Sequence, residues 1–126
     1  MTALAMILAV AMQQPDRSAM TLDSSLVLEA ACDTAPRILS GPLLYYPLEL
    51  LRNGKQGTVV VQFVLDTMGH AERTSIHVIA TPHMGFNLSA KEYVQRALFS
   101  PGIFHGRKVR TLVQFPVVYR VKEGRR

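Results

Sequence analysis

The segment from Val109 to Lys122 constrains this chain more than any other. Val109, Thr111, Val113, Phe115, Val117, Tyr119 and Val121 alternate without a break with Arg110, Leu112, Gln114, Pro116, Val118, Arg120 and Lys122. A period of two puts the first set on one face of a long β-strand, with Phe115 and Tyr119 in the core. Pro116 sits in the middle of this pattern and has no N–H to give to a ladder, so such a strand belongs at an edge of its sheet. One side of the strand is therefore expected to be open, and an open edge is a template for a partner strand.

Two more strands are legible. Val59, Val61, Phe63 and Leu65 alternate with Thr58, Val60, Gln62 and Val64, and both sets are largely apolar, so the strand Thr58 to Asp66 is expected to be central. Asp66-Thr67-Met68-Gly69 is turn chemistry, with an Asp that bonds nearby backbone and a Gly for positive φ. A hairpin partner follows over about Ala71 to Ala80, stopped by Pro82 and a loop at 83–87.

The helical signals are shorter. Pro47 suits a first helical position and Gly54 a left-handed C-cap, so 46–53 reads as a helix with Leu44, Leu48 and Leu51 on its apolar face. Ser89-x-x-Glu92 has the form of a capping box, with Leu88 and Tyr93 at staple positions. Ala90, Val94, Ala97 and Leu98 make the apolar face of this second helix, which Phe99 closes and Pro101-Gly102 stops. The resulting fold class is α+β: a three-stranded antiparallel sheet with two helices packed on one face, over residues 42–122, preceded by a short N-terminal arm.

Residues 1–12 contain the apolar, uncharged run Ala3 to Met12. As a helix it is about 15 Å long, roughly half the ~30 Å hydrocarbon core of a bilayer, so it cannot span one. It suits the apolar region of a signal peptide, with Ala9-Val10-Ala11 as a small-x-small cleavage site, although no Lys or Arg precedes it. An apolar arm or a start codon set downstream of the true one are the other readings. Residues 13–41 read as a linker broken by Pro36 and Gly41-Pro42. Within it Leu26 to Ala31 fits a short strand or a helical turn equally well.

Composition excludes several classes of function. In 126 residues there are one Cys, no Trp and a net charge of +5. Cys32 has no disulfide partner within the chain, and Glu29 stands where a lipid-attachment motif wants an apolar residue. The charge is concentrated in residues 105–126 and includes the basic tail 123–126. Nucleic-acid binding would require exposed aromatics among those cations, whereas Phe115 and Tyr119 lie on the core face. His70, His77, His83 and His105 are scattered over a turn, a strand and loops without i, i+4 spacing, so no metal site is expected. No nucleophile elbow, phosphate loop or carboxylate pair is present, so neither enzymatic activity nor a cofactor is expected.

Read in order, these residues resemble the C-terminal domain of TonB-type energy transducers. The resemblance rests on Tyr46-Pro47, Leu51-Arg52, Gly54 with Gln56-Gly57-x-Val59, Phe63, Asp66, Gly69, Ala90 and Ala97. It continues through Phe99-x-Pro101, Gly106-x-x-Val109 and Phe115-Pro116-Val117. It implies a periplasmic domain that grips outer-membrane transport receptors, siderophore transporters among them, through a short receptor segment, the TonB box. That segment adds as a strand to the edge of the third strand. In such transducers an N-terminal spanning helix and a proline-rich spacer tie this domain to an inner-membrane motor. This sequence shows neither, so a stand-alone exported form, a piece of a longer product and a domain re-used for another partner are all open. The second helix lacks the family's acidic start, and Asn87 or Ser89 is expected to cap it.

The expected binding edge is Val113, Gln114, Phe115, Pro116, Val117 and Val118, offering backbone groups, with Arg110 and Arg120 flanking as electrostatic guides. The expected partner is a protein segment. The alternative is self-pairing along the same edge, as a structural dimer or an accessory subunit of an envelope or sensor assembly.

Overall fold

A computed structural model describes residues 26–121. The expectations for residues 1–12, for the first part of the linker and for the basic tail lie outside the described residues. The described elements run β1 Leu26–Leu28, β2 Ile38–Ser40, α1 Leu48–Arg52, β3 Gly57–Leu65, β4 His77–Ala80, α2 Asn87–Arg96, β5 Leu98–Phe99, β6 Gly102–Phe104 and β7 Arg107–Tyr119. Short 3-10 turns stand at Glu29–Ala31, Arg73–Ser75 and Met84–Phe86.

The α+β architecture is as the sequence predicts, with β3 central. It pairs antiparallel with β7 from Gly57↔Tyr119 to Leu65↔Thr111, and with β4 on its other side. The sheet order is β1-β7-β3-β4, with β1 parallel to β7 and β6 antiparallel to the start of β7. The β6–β7 hairpin turns through His105 at φ 52 and Gly106 at φ 77, the two positive φ values that a tight primed turn needs. A second small sheet joins β2 to β5.

Alternation along β3 and β7 drives Val59, Val61, Phe63, Leu65, Val113, Val117 and Tyr119 into one core with Ala90 and Val94 of α2 and Ala97 just past its end. At its centre Phe86 stacks on Tyr119 with ring centroids 4.2 Å apart, and Tyr46 meets both edge-on. The Asp66 turn forms as its chemistry dictates. Asp66 Oδ1 accepts from the N–H groups of Met68 and His70, both at 2.9 Å, and Gly69 takes φ 92.

Several local expectations are corrected. β4 begins at His77 rather than Ala71, because Glu72 to Ser75 coil into a turn. Ser75 Oγ accepts from Val64 N at 2.8 Å and takes the place of a strand partner. Pro47 is the residue before α1, with ψ 129, and the side chain that α1 buries is Leu50, whereas Leu48 and Leu51 are exposed. Five residues make too little helix for a full apolar stripe, and one inward side chain suffices.

The capping box does not form. α2 continues directly from the Met84–Phe86 turn, so the N–H groups near Ser89 already have helical partners, and neither Asn87 nor Ser89 caps. The cap falls earlier, where His83 Nδ1 accepts from Gly85 N at 2.9 Å. Leu88 is exposed and staples nothing, and α2 stops at Arg96, leaving Phe99 to β5.

Ser89 is instead buried, donating to the Tyr45 carbonyl and accepting from Tyr119 Oη at 2.9 Å. Burial raises the Tyr119 pKa above its ordinary value of about 10, and the Ser89 hydrogen bond offsets part of that rise. Below about pH 10 both folded and unfolded chains hold this proton, so the contribution is fully present. Above it the unfolded chain ionises first, and stability falls until the folded value is passed. Tyr119→Phe is expected to cost about 1 kcal/mol at neutral pH through the lost hydrogen bond. The gap between the two proteins should then narrow towards about pH 11. Urea midpoints of both proteins across this range check it, and a gap independent of pH would refute the burial effect.

Candidate strand-binding edge

β7 shows its two sides through its hydrogen bonds. Gln114 N–H donates to Glu29 Oε1 at 3.2 Å, and Glu29 stands in the turn after β1, on the side of β7 away from β3. Val121 N–H donates to Gln56 Oε1 at 2.8 Å, just before β3. Backbone groups alternate sides along an antiparallel strand, so odd-numbered residues from Thr111 to Tyr119 face β3 and even-numbered ones face away. Pro116 is one of the outward residues. Its missing N–H therefore takes nothing from the β3 ladder, which is the physical reason a proline is tolerated here.

Side chains alternate by face as well. Val113 and Val117 are buried, with Phe115 half-buried on the same face, where it meets the Phe99 ring edge-on at 5.2 Å. Gln114, Pro116 and Val118 lie exposed on the opposite face, and Gln114 Nε2 donates to Gln62 Oε1 at 3.2 Å. Beside the last part of the edge, Leu44 and Tyr93 wall an open groove of about 260 Å³ floored by Phe115 to Val118. This arrangement can accept an extended segment: backbone acceptors and a donor along one line, with an apolar slot beside them.

The open side is shorter than the sequence predicts. On the side away from β3, β1 covers Arg110 to Leu112 and Glu29 meets Gln114 N–H, which leaves Pro116 and Val118, whereas β6 pairs with Arg107 to Val109 beyond the point where the β3 ladder ends. Arg120 is exposed just past the end of β7. Arg110 lies at the covered end, and its guanidinium holds Glu72 in a two-point ion pair, Nε–Oε2 2.8 Å and Nη2–Oε1 2.9 Å. Sequence reasoning missed Glu29, because a carboxylate far away in the chain gives no local sign that it will reach a strand end. The apolar triplet Leu26-Val27-Leu28 was the available signal, but its pairing was undecidable at that length.

Among the described residues no group of three or more His, Cys, Asp or Glu side chains converges as a metal site would need. No described helix is long and apolar enough to cross a membrane.

The family model for the Gram-negative bacterial TonB protein C-terminal region matches residues 42–121. Among solved structures, the chain is similar to the Pseudomonas aeruginosa TonB CTD determined by solution NMR, with a TM-score of 0.51 and 20% identity. The match covers 71% of this chain and 90% of that one. At that identity the likeness speaks for the fold. No curated protein matches the chain in sequence. With the family model spanning well over half of its residues, the chain belongs to the TonB C-terminal domain family of protein-interacting domains.

Proposed function

We propose that this protein is a periplasmic binding domain that takes a segment of an outer-membrane receptor as an added strand on the outward side of β7, in energy-coupled transport. TonB C-terminal domains are periplasmic in Gram-negative bacteria and engage protein partners, which supplies the compartment and the partner class. The observation that carries the reading is the outward row past β1, where Gln114 N–H is met only by the Glu29 side chain and Pro116 and Val118 are left open before Tyr119. Backbone pairing there gives affinity with little demand on the partner's sequence, and the Leu44–Tyr93 groove selects an apolar side chain. Arg120, exposed at the strand end, guides an acidic flank of the partner. Arg110 takes a lesser part, since its charge is already met by Glu72.

Val118→Pro tests the edge. It removes an outward N–H and sets a ring in the path of an added strand while leaving the β3 ladder intact. In a pull-down with plug-domain N-terminal segments of outer-membrane receptors, capture by this variant is expected to fall at least tenfold, about 1.4 kcal/mol. Its urea midpoint is expected to stay close to that of the parent. Val117→Pro, whose N–H faces β3, should instead unfold the sheet. Full capture by a folded Val118→Pro protein would remove strand addition at this edge.

A further inference from the structure

The chain has already placed a strand on the same side of β7 as the edge assigned to its partner, directly before it. β1 pairs in parallel with Leu26↔Arg110, Val27↔Thr111 and Leu28↔Leu112. Since even-numbered residues of β7 face outward, the parallel ladder runs through Val27, which donates to the Arg110 carbonyl and accepts from Leu112 N–H. The next outward donor, Gln114 N–H, would meet the carbonyl of the following added residue. The chain turns away there, and the Glu29 carboxylate takes over that role at 3.2 Å. The next outward residue, Pro116, has no N–H. Along the outward row from Leu112 to Val118, β1 meets one donor, Glu29 meets another, proline deletes the third, and only Val118 keeps an N–H that faces the open side.

We infer that Leu26–Glu29 is a resident strand on the partner-binding edge, an autoinhibitory contact that any added strand reaching Leu112 or Gln114 must displace. This rests on the strand-addition reading and states how that site is regulated. A tethered strand acts at a millimolar effective concentration, so it holds back weak partners and yields to one that pairs over the whole edge. Displacement also frees residues 26–31 from the sheet, which couples partner binding to the chain segment leading into the domain.

The test uses the full chain and amide hydrogen exchange. In the parent, Leu112 and Gln114 are expected to be protected. In Val27→Pro/Glu29→Ala they are expected to exchange at least tenfold faster while Val113, Val117 and Tyr119, which face β3, remain protected and report an intact fold. Glu29→Ala alone, on a surface turn, is the milder variant and should expose Gln114 while Leu112 stays protected. Adding a synthetic peptide of the chain's own residues 25–31 at millimolar concentration should restore protection of Leu112 and Gln114 in the double variant and change nothing in the parent. Fast exchange of both amides in the parent, or a peptide effect equal in both proteins, would overturn the resident strand. So would a double variant whose amides stay exposed with the peptide present. None of these outcomes touches the receptor reading, which stands or falls with capture by Val118→Pro.

Discussion

Gly69→Ala is expected to lower stability by about 3 kcal/mol or more. Two costs act together at this position. The residue holds φ 92, and an L side chain in left-handed backbone costs roughly 1–2 kcal/mol. A Cβ there would also stand 2.0 Å from the Phe99 carbonyl oxygen, a backbone atom that no rotamer change can move. Forcing a methyl into such a site costs typically another 1–3 kcal/mol. The contact is structural as well as steric, because Phe99 N–H donates to the Gly69 carbonyl at 2.9 Å and joins the β3–β4 turn to β5. In a fold of this size each kcal/mol shifts the melting temperature by about 4–8 °C, so a drop of more than 10 °C is expected. Gly54→Ala separates the two costs. Gly54 also has positive φ, at 66, but nothing lies within 4 Å of the added Cβ, so only the backbone term of about 1 kcal/mol should appear. Equal losses in the two variants would show that the Phe99 contact does not limit this site.

Phe86→Ala should produce a loss of comparable or larger size, about 3–5 kcal/mol. Phe86 is fully buried, stacked on Tyr119 and met edge-on by Tyr46, so its removal opens a void between the sheet and α2 that backbone elements cannot close. The void would also let water reach the Tyr119 hydroxyl, and the alkaline stability limb should weaken with it. Thermal melts and urea midpoints measure the loss. A change below about 1 kcal/mol would mean that the aromatic stack is not what joins the 3-10 turn and α2 to the sheet. Phe104→Ala, at the half-buried end of β6, is the comparison and should cost less.

Much of the fold was legible because its strongest signals are local. Alternation along β3 and β7 needs only a buried face and an exposed one. Pro116 and the Asp66–Gly69 turn needed only backbone chemistry, which acts within a few residues. The errors share a cause as well. The Ser89-x-x-Glu92 pattern satisfies a capping rule, yet the preceding 3-10 turn already supplies the helix with its start, so the serine was free to enter the Tyr119 network. Leu48 and Leu51 are apolar at plausible spacing, but a five-residue helix buries whichever side the sheet offers, and that was Leu50. The candidate site divided in the same way. The outward row of β7 was readable from one proline. The groove walls Leu44 and Tyr93 and the Glu29 contact join parts of the chain far apart in sequence, and no periodicity records such meetings.

By itself the sequence determined that a long alternating strand carries a proline at an edge, that a second apolar strand sits beside it, and that the chain resembles the TonB C-terminal family. These follow from side-chain period and backbone hydrogen-bonding capacity, which each residue carries with it. Only the tertiary structure decided how much of that edge stays open. Leu26-Val27-Leu28 is too short to choose a partner on its own account, and it becomes a strand only because β7 presents an unpaired row of N–H and C=O groups within its reach.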